Sequence, residues 1–163
     1  MVLYLTGLAT LLLTALSLGP SFAHVLEALP RLTRWSPELW RETTVFNGQF
    51  ALFAIVGGPL DVAAILVAFL LAYLLSNEKL AFRFCLAGAA LMAAALMAWF
   101  AIVAPVNSEL ATWQPGPVPQ DFNAVRWRWE VGHMVVAALK ALGFVFLCIA
   151  LLAPRLRRLR AYN

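Results

Sequence analysis

Charge is what this chain has least of. Of its 163 residues, 12 are Lys or Arg and 8 are Asp or Glu. That 12% compares with about 25% in soluble domains, while 63% of residues are hydrophobic and the mean hydropathy is +0.84. The scarcity excludes a soluble globular domain, and the length suits a single membrane domain over residues 1–163. Cysteine is scarce too. Cys85 and Cys148 lie in apolar segments, make neither a metal motif nor a disulfide framework, and read as small apolar residues. No positive stretch precedes the first apolar run. Although Ser21-Phe22-Ala23 resembles a signal cleavage site, residues 1–29 are therefore expected to be a retained helix. No internal repeat, low-complexity tract or domain linker is visible. The pI near 9.6 does not indicate nucleic acid, because the basic residues sit at segment ends. Four arginines within 155–160 follow the last apolar run and read as an anchor on anionic lipid.

What the chain does have is long apolar segments. Four of them, near 2–29, 45–75, 82–106 and 125–153, exceed the roughly 20 helical residues that cross a bilayer. The expected fold is all-α, a four-transmembrane-helix antiparallel bundle. In the first segment Thr10, Thr14, Ser17, Ser21 and His24 recur at spacings of four and three. This polar stripe is expected to face other helices, with a kink at Gly19-Pro20. Residues 30–44 read as a loop with interfacial Trp35 and Trp40 and a short surface helix capped by Ser36. The second segment starts with Asn47 and Gln49, and its Gly57-Gly58-Pro59 predicts a bend just before Asp61. The turn at Ser76–Lys79 is short enough to make the second and third segments a hairpin. The third segment is expected to end at Pro105-Val106-Asn107. A proline-rich loop of about 18 residues then follows, long enough to cover a site.

The charge count suggests an orientation. One side would hold Lys79, Arg83 and the four C-terminal arginines, six basic residues; the other would hold Arg31, Arg34, Arg41, Arg126 and Arg128, five. The excess favours both termini in the cytoplasm, as in a bacterial inner-membrane protein, with the other ends opening outward.

The chain has only two histidines, and each has a glutamate three residues away. His24-x-x-Glu27 lies near the end of the first segment, and Glu130-x-x-His133 near the start of the fourth. One runs His to Glu, the other Glu to His. On antiparallel helices that reversal sets His beside His and Glu beside Glu, with Arg31 and Arg126 one turn further out. Helical rise puts both histidines about 10–12 Å deep. Ionisable groups at such depth are functional candidates, since burying them is costly. A metal ion held by His24, Glu27, Glu130 and His133 would have N2O2 ligands suited to Zn, Cu or Fe. A metal-free salt-bridge network, or acid–base use of the same residues, reads the pattern equally well. Haem is disfavoured, because the glutamates would crowd a porphyrin and no C-x-x-C-H motif is present. Asn107 and Trp113 could donate hydrogen bonds to a substrate, or serve as a helix cap and an interfacial anchor. By the same arithmetic Asp61 and Lys140 both fall near mid-membrane, roughly 22–24 Å from the outer end, where they are expected to pair.

The run Trp99-Phe100, Pro105-Val106-Asn107, Trp113, then Arg126-x-x-Trp129-Glu130-x-x-His133 resembles the DUF1772, or anthrone oxygenase-like, membrane proteins. His24 and Glu27 match in the first helix. The resemblance implies a four-helix membrane bundle. It also implies, from the fungal polyketide-pathway members, oxidation of anthrones to anthraquinones with oxygen. The Asp61–Lys140 pair departs from that pattern. The leading expectation is a membrane-bound oxidoreductase, a monooxygenase acting on a hydrophobic phenolic or quinone-like molecule, with Asn107, Trp113, Arg126 and Trp129 binding substrate. The alternatives are a non-enzymatic small subunit or assembly partner of a larger membrane complex, and a small proton-coupled transporter marked by Asp61, Lys140 and the interrupted second helix. The expected partners are the lipid bilayer, a hydrophobic small molecule and a homo-oligomer or larger membrane complex.

Overall fold

The computed structural model describes residues 1–48 and 51–160, with the backbone alone for residues 51, 52, 54 and 153–160. The expectation placed on Gln49 and the side chains of the C-terminal arginines lie outside the described residues. The elements are α1 (Val2–Thr33), α2 (Pro37–Arg41), a π-helical turn (Glu42–Phe46), α3 (Ala51–Leu74), α4 (Lys79–Ala98), a second π-helical turn (Trp99–Val103), α5 (Ala104–Leu110) and α6 (Phe122–Arg160). Among the described residues there is no strand. Four spans are long and apolar enough to cross a membrane: Val2–Thr33, Ile55–Leu74, Lys79–Leu110 and Phe122–Leu152. They close a ring in which α1 packs on α3 and α6, and α4 on α3 and α6. The fold is consistent with an integral, multi-pass four-helix bundle.

The sides of α1 are inverted relative to a soluble helix. Thr10, Thr14, Ser17, Ser21 and His24 are buried, while Leu8, Leu12 and Leu16 are exposed. Lipid tolerates the leucines, and small polar residues let neighbouring helices approach. The hydroxyls satisfy themselves: Thr10 donates to the Thr6 carbonyl at 2.8 Å and Thr14 to the Thr10 carbonyl at 2.7 Å. At the end near the 76–79 turn, α3, α4 and α6 form a dense core of Ala64, Ala68, Leu71, Cys85, Ala89, Met92 and Leu147. Gly88 and Gly143 make this possible. A Cβ on Gly88 would lie 2.9 Å from the Gly143 carbonyl oxygen.

Two boundaries differ from the sequence reading. The first helix continues past Pro30 to Thr33, so only Arg34–Ser36 separates it from α2. Proline interrupts a helix by what it does to the turn before it, and here that turn is accommodated. The third span does not end at Pro105. The Trp99–Val103 turn widens, the Ala104 N–H donates to the Trp99 carbonyl, and Pro105 falls in the first turn of α5, where its missing N–H costs nothing. The loop that follows is correspondingly shorter. α3 remains helical through Gly57-Gly58-Pro59. The short α2 forms as expected, with the Leu39 N–H donating to Ser36 Oγ at 3.2 Å. Backbone and Ser36 hydrogen bonding at that N-terminus holds the Glu38 carboxyl below its ordinary pKa.

Candidate functional site

The end of the bundle away from the dense core is built differently. None of the described residues of α3 before Asp61 is buried, and the helices leave a cavity of about 420 Å³ between them. This volume is in the range of small-molecule sites. α1 contributes Ser17 and His24 to its wall, α3 contributes Gly57, Gly58 and Asp61, and α6 contributes Trp129, His133 and Lys140. Trp99 and Phe100 of the second π-helical turn, and Asn107 of α5, complete it. Trp99 and Phe100 stand on the widened turn itself, and such π-helical turns are frequent at functional sites. The two constellations anticipated separately, the histidines and the Asp61–Lys140 pair, thus open on one cavity.

His24 and His133 meet. Their rings stack with centroids 4.1 Å apart and planes inclined by 21°. Trp129 packs edge-on against both, 5.3 Å from His24 and 4.4 Å from His133, and Phe53 lies 5.4 Å from His24. Trp129 is fixed by donating its indole N–H to Asn107 Oδ1 at 2.8 Å. Asn107 is therefore no helix cap: it lies within α5 and orients an aromatic wall.

Deeper along α6, Lys140 Nζ donates to Asp61 Oδ1 at 2.7 Å and Oδ2 at 2.9 Å. Ser17 Oγ donates to Asp61 Oδ1 at 2.6 Å, and Lys140 reaches the Ser17 carbonyl at 3.4 Å. Ser17 was expected only to pack. A signal for its role was present: Ser17 and His24 are seven residues apart on α1, as His133 and Lys140 are on α6. If the histidines meet across antiparallel helices, so must the residues two turns further in.

The glutamates do not join the histidines. Glu27 pairs with Arg31 on the same helix, and half of its side chain is exposed. Glu130 is fully buried. Its Oε1 accepts the Trp40 indole N–H at 2.9 Å and lies 3.9 Å from the Arg31 guanidinium. Arg31 is itself buried, with its guanidinium carbon 5.5 Å from the Trp35 ring and 5.6 Å from that of Trp129. Trp40 therefore reaches the core and is no interfacial anchor. Nothing local in the sequence could give its position, which depends on how α2 folds back over α6.

The expected ligand set must be corrected accordingly. Among the described residues no group of three or more His, Cys, Asp or Glu is placed to hold a metal ion. Imidazole lone pairs lie in the ring plane, and two rings stacked face to face direct them along nearly parallel planes, with no common point about 2.0–2.1 Å from both. The 4.1 Å ring separation also leaves no room for a porphyrin between them. His24, Glu27, Glu130 and His133 thus do not fit one metal ion or haem in this arrangement.

Two proposed substrate contacts are also placed elsewhere. Arg126 donates to the Arg31 and Trp35 carbonyls at 3.2 and 3.3 Å and to Asn123, which ties the end of α1 to α6. Trp113 packs with Phe122 and Trp40 beneath the loop, outside the cavity wall. Arg41 holds that loop by donating to the carbonyls of Gln114, Gly116 and Pro117.

No family model matches the chain, and neither a curated protein nor a solved structure is detectably similar to it. The functional reading rests on the residues themselves.

Proposed function

We propose that this chain is a membrane-bound oxidoreductase, of the anthrone oxygenase-like kind its sequence resembles, that oxidises a lipophilic aromatic molecule with dioxygen. The observation that carries this reading is the stacked His24–His133 pair in the wall of an otherwise largely apolar, aromatic-lined cavity. A flat ring system would lie against Trp129, Trp99 and Phe53. An imidazole nitrogen would take a proton from the acidic methylene of a hydroxyanthrone. The resulting electron-rich carbanion would give its electrons to oxygen and form a carbon hydroperoxide, which loses water to leave a carbonyl. One methylene and one O2 become one carbonyl and one water. Holding the ring in a largely apolar cavity limits quenching of the carbanion by solvent.

The test is oxygen uptake and quinone absorbance when purified protein in micelles meets a dihydroxyanthrone. His133→Ala should slow turnover by about a hundredfold or more. A parent no faster than buffer, or a variant equal to the parent, would overturn the reading.

A second reading, a small proton-coupled carrier, draws on the Asp61–Lys140 pair at the inner end of the same cavity. It requires ligand movement that depends on a proton gradient in vesicles, which the first reading does not.

The basic-residue count favours both termini in the cytoplasm and the cavity nearer the outer face. Cysteine placed at Ser36 or Gln120 should react with an impermeant reagent in intact cells, and cysteine at Asn77 should not. The reverse pattern turns the site inward.

A further inference from the structure

The inner end of the cavity has an unequal pair of charges. Lys140 has three protons, and its ammonium directs them at both Asp61 oxygens and the Ser17 carbonyl. Asp61 has four lone-pair sites. Ser17 and Lys140 occupy Oδ1, whereas Oδ2 accepts only from Lys140 among the described residues. The Asp61 side chain is also the more open of the two, 14% exposed against 6% for Lys140. What remains available at this end is therefore an acceptor. An anion would meet a carboxylate and find Lys140, the one lysine or arginine among the described residues of the wall, committed; a hydroxyl donor would find a charged partner.

The approach to this acceptor is bare. Gly57 and Gly58 lie one turn before Asp61 on α3, so all three share a face. All three line the cavity, and a Cβ added to either glycine would meet nothing within 4 Å. Phe100, also in the wall, is 62% exposed on a span apolar enough to lie in lipid. A molecule reaching Asp61 by this route must be lipophilic over most of its surface.

We propose that Asp61, held by Lys140 and Ser17, is the inner anchor of the cavity and selects lipophilic phenols over their ethers and over rings without a hydroxyl. The phenol donates to Asp61 Oδ2 while its rings fill the aromatic part of the cavity beside the histidines. This places the hydroxyl end and the reacting end of one molecule about two helical turns apart along α6, the distance from Lys140 to His133. The inference rests on the cavity being the ligand site of the proposed oxidation, and its test is a binding measurement that involves no oxidation.

The probe is a hydroxyanthraquinone whose hydroxyl is remote from its carbonyls, compared with its methyl ether, at a pH where the phenol is un-ionised. Neither has a methylene to oxidise. Quenching of tryptophan fluorescence in micelles gives the two affinities. A hydrogen bond to a charged acceptor corresponds to about tenfold or more, so the parent should prefer the phenol by at least that factor. Asp61→Leu combined with Lys140→Met removes both charges together and should bring the ratio to about one. Gly58→Leu should weaken phenol and ether alike and leave their ratio unchanged. A parent that does not discriminate, or a double variant that still does, overturns the proposal. If the double variant fails to fold, the parent ratio decides by itself. A parent that discriminates between the probes but consumes no oxygen with an anthrone leaves the anchor standing and removes the oxidation; oxidation without discrimination does the reverse.

Discussion

The two ends of this bundle use the same helices for opposite purposes. Towards the 76–79 turn, the helices are drawn together by alanine, glycine and cysteine, and polar contacts across the dense core are weak ones such as Cys85 Sγ to the Ala68 carbonyl at 3.6 Å. Towards the other end, α1 and α6 carry histidine, glutamate and arginine, with the tryptophans on α6, and α3 stands away from its neighbours far enough to leave a cavity. Apolar packing cannot by itself favour helix over lipid, so small residues that permit close van der Waals contact hold the first region. The second is held by hydrogen bonds between buried polar groups. One end supplies rigidity and the other tolerates a void. The Asp61–Lys140 pair sits on the boundary between them.

The largest expected effect lies at that boundary. Lys140→Met alone leaves a carboxylate in the middle of a membrane span, and should destabilise the protein by about 3–5 kcal/mol, read by denaturant titration in mixed micelles. Combining it with Asp61→Leu should restore much of the loss. If the single variant matches the parent, water reaches Asp61 freely and the boundary is misplaced.

A smaller effect separates the dense end from the open one. Gly88→Val adds atoms where Leu147 Cγ would be 2.8 Å and the Gly143 carbonyl 2.9 Å from the new Cβ. A side chain can move aside, but the α6 backbone cannot without separating the helices. The expected cost is about 2–3 kcal/mol, measured in the same titration. No cost would show that the inner core is loosely packed.

The two regions were not equally legible in the sequence. Helix number and polarity follow from apolar length, and the depth of Asp61 and Lys140 follows from rise per residue, because both quantities are local. The meeting of His24 and His133 followed from mirrored spacing, since antiparallel helices that align one pair align the next. The glutamates were misassigned because three-residue spacing places a side chain near a face without deciding its partner. Glu27 has Arg31 four residues on, the favourable spacing for an ion pair, and Glu130 is claimed by a tryptophan ninety residues earlier in the chain. Pro105 was read as a stop because a π-helical turn has no sequence signature comparable to proline.

That claimed glutamate gives the next test. Trp40 is fully buried, and its indole N–H is the donor to Glu130 Oε1. Trp40→Phe keeps most of the ring volume and removes the donor. It should cost about 1–3 kcal/mol, because a buried acceptor is left poorly satisfied. A neutral result would mean that Arg31 suffices for Glu130, and that the polar end is held by charge with no need for the tryptophan.

The smallest effect is expected where the comparison is sharpest. Gly58 and Gly88 are both glycines within membrane helices, and the sequence does not distinguish them. A Cβ on Gly88 collides with a backbone, whereas one on Gly58 meets nothing within 4 Å. Gly58→Ala removes the entropic cost of a helical glycine without creating a contact, so stability should be unchanged or higher by up to about 1 kcal/mol. If Gly58→Ala is instead as damaging as Gly88→Val, α3 closes against its neighbours in the membrane. The cavity would then be only a transient opening, and a ligand would have to separate the helices before it could reach Asp61 or the histidines.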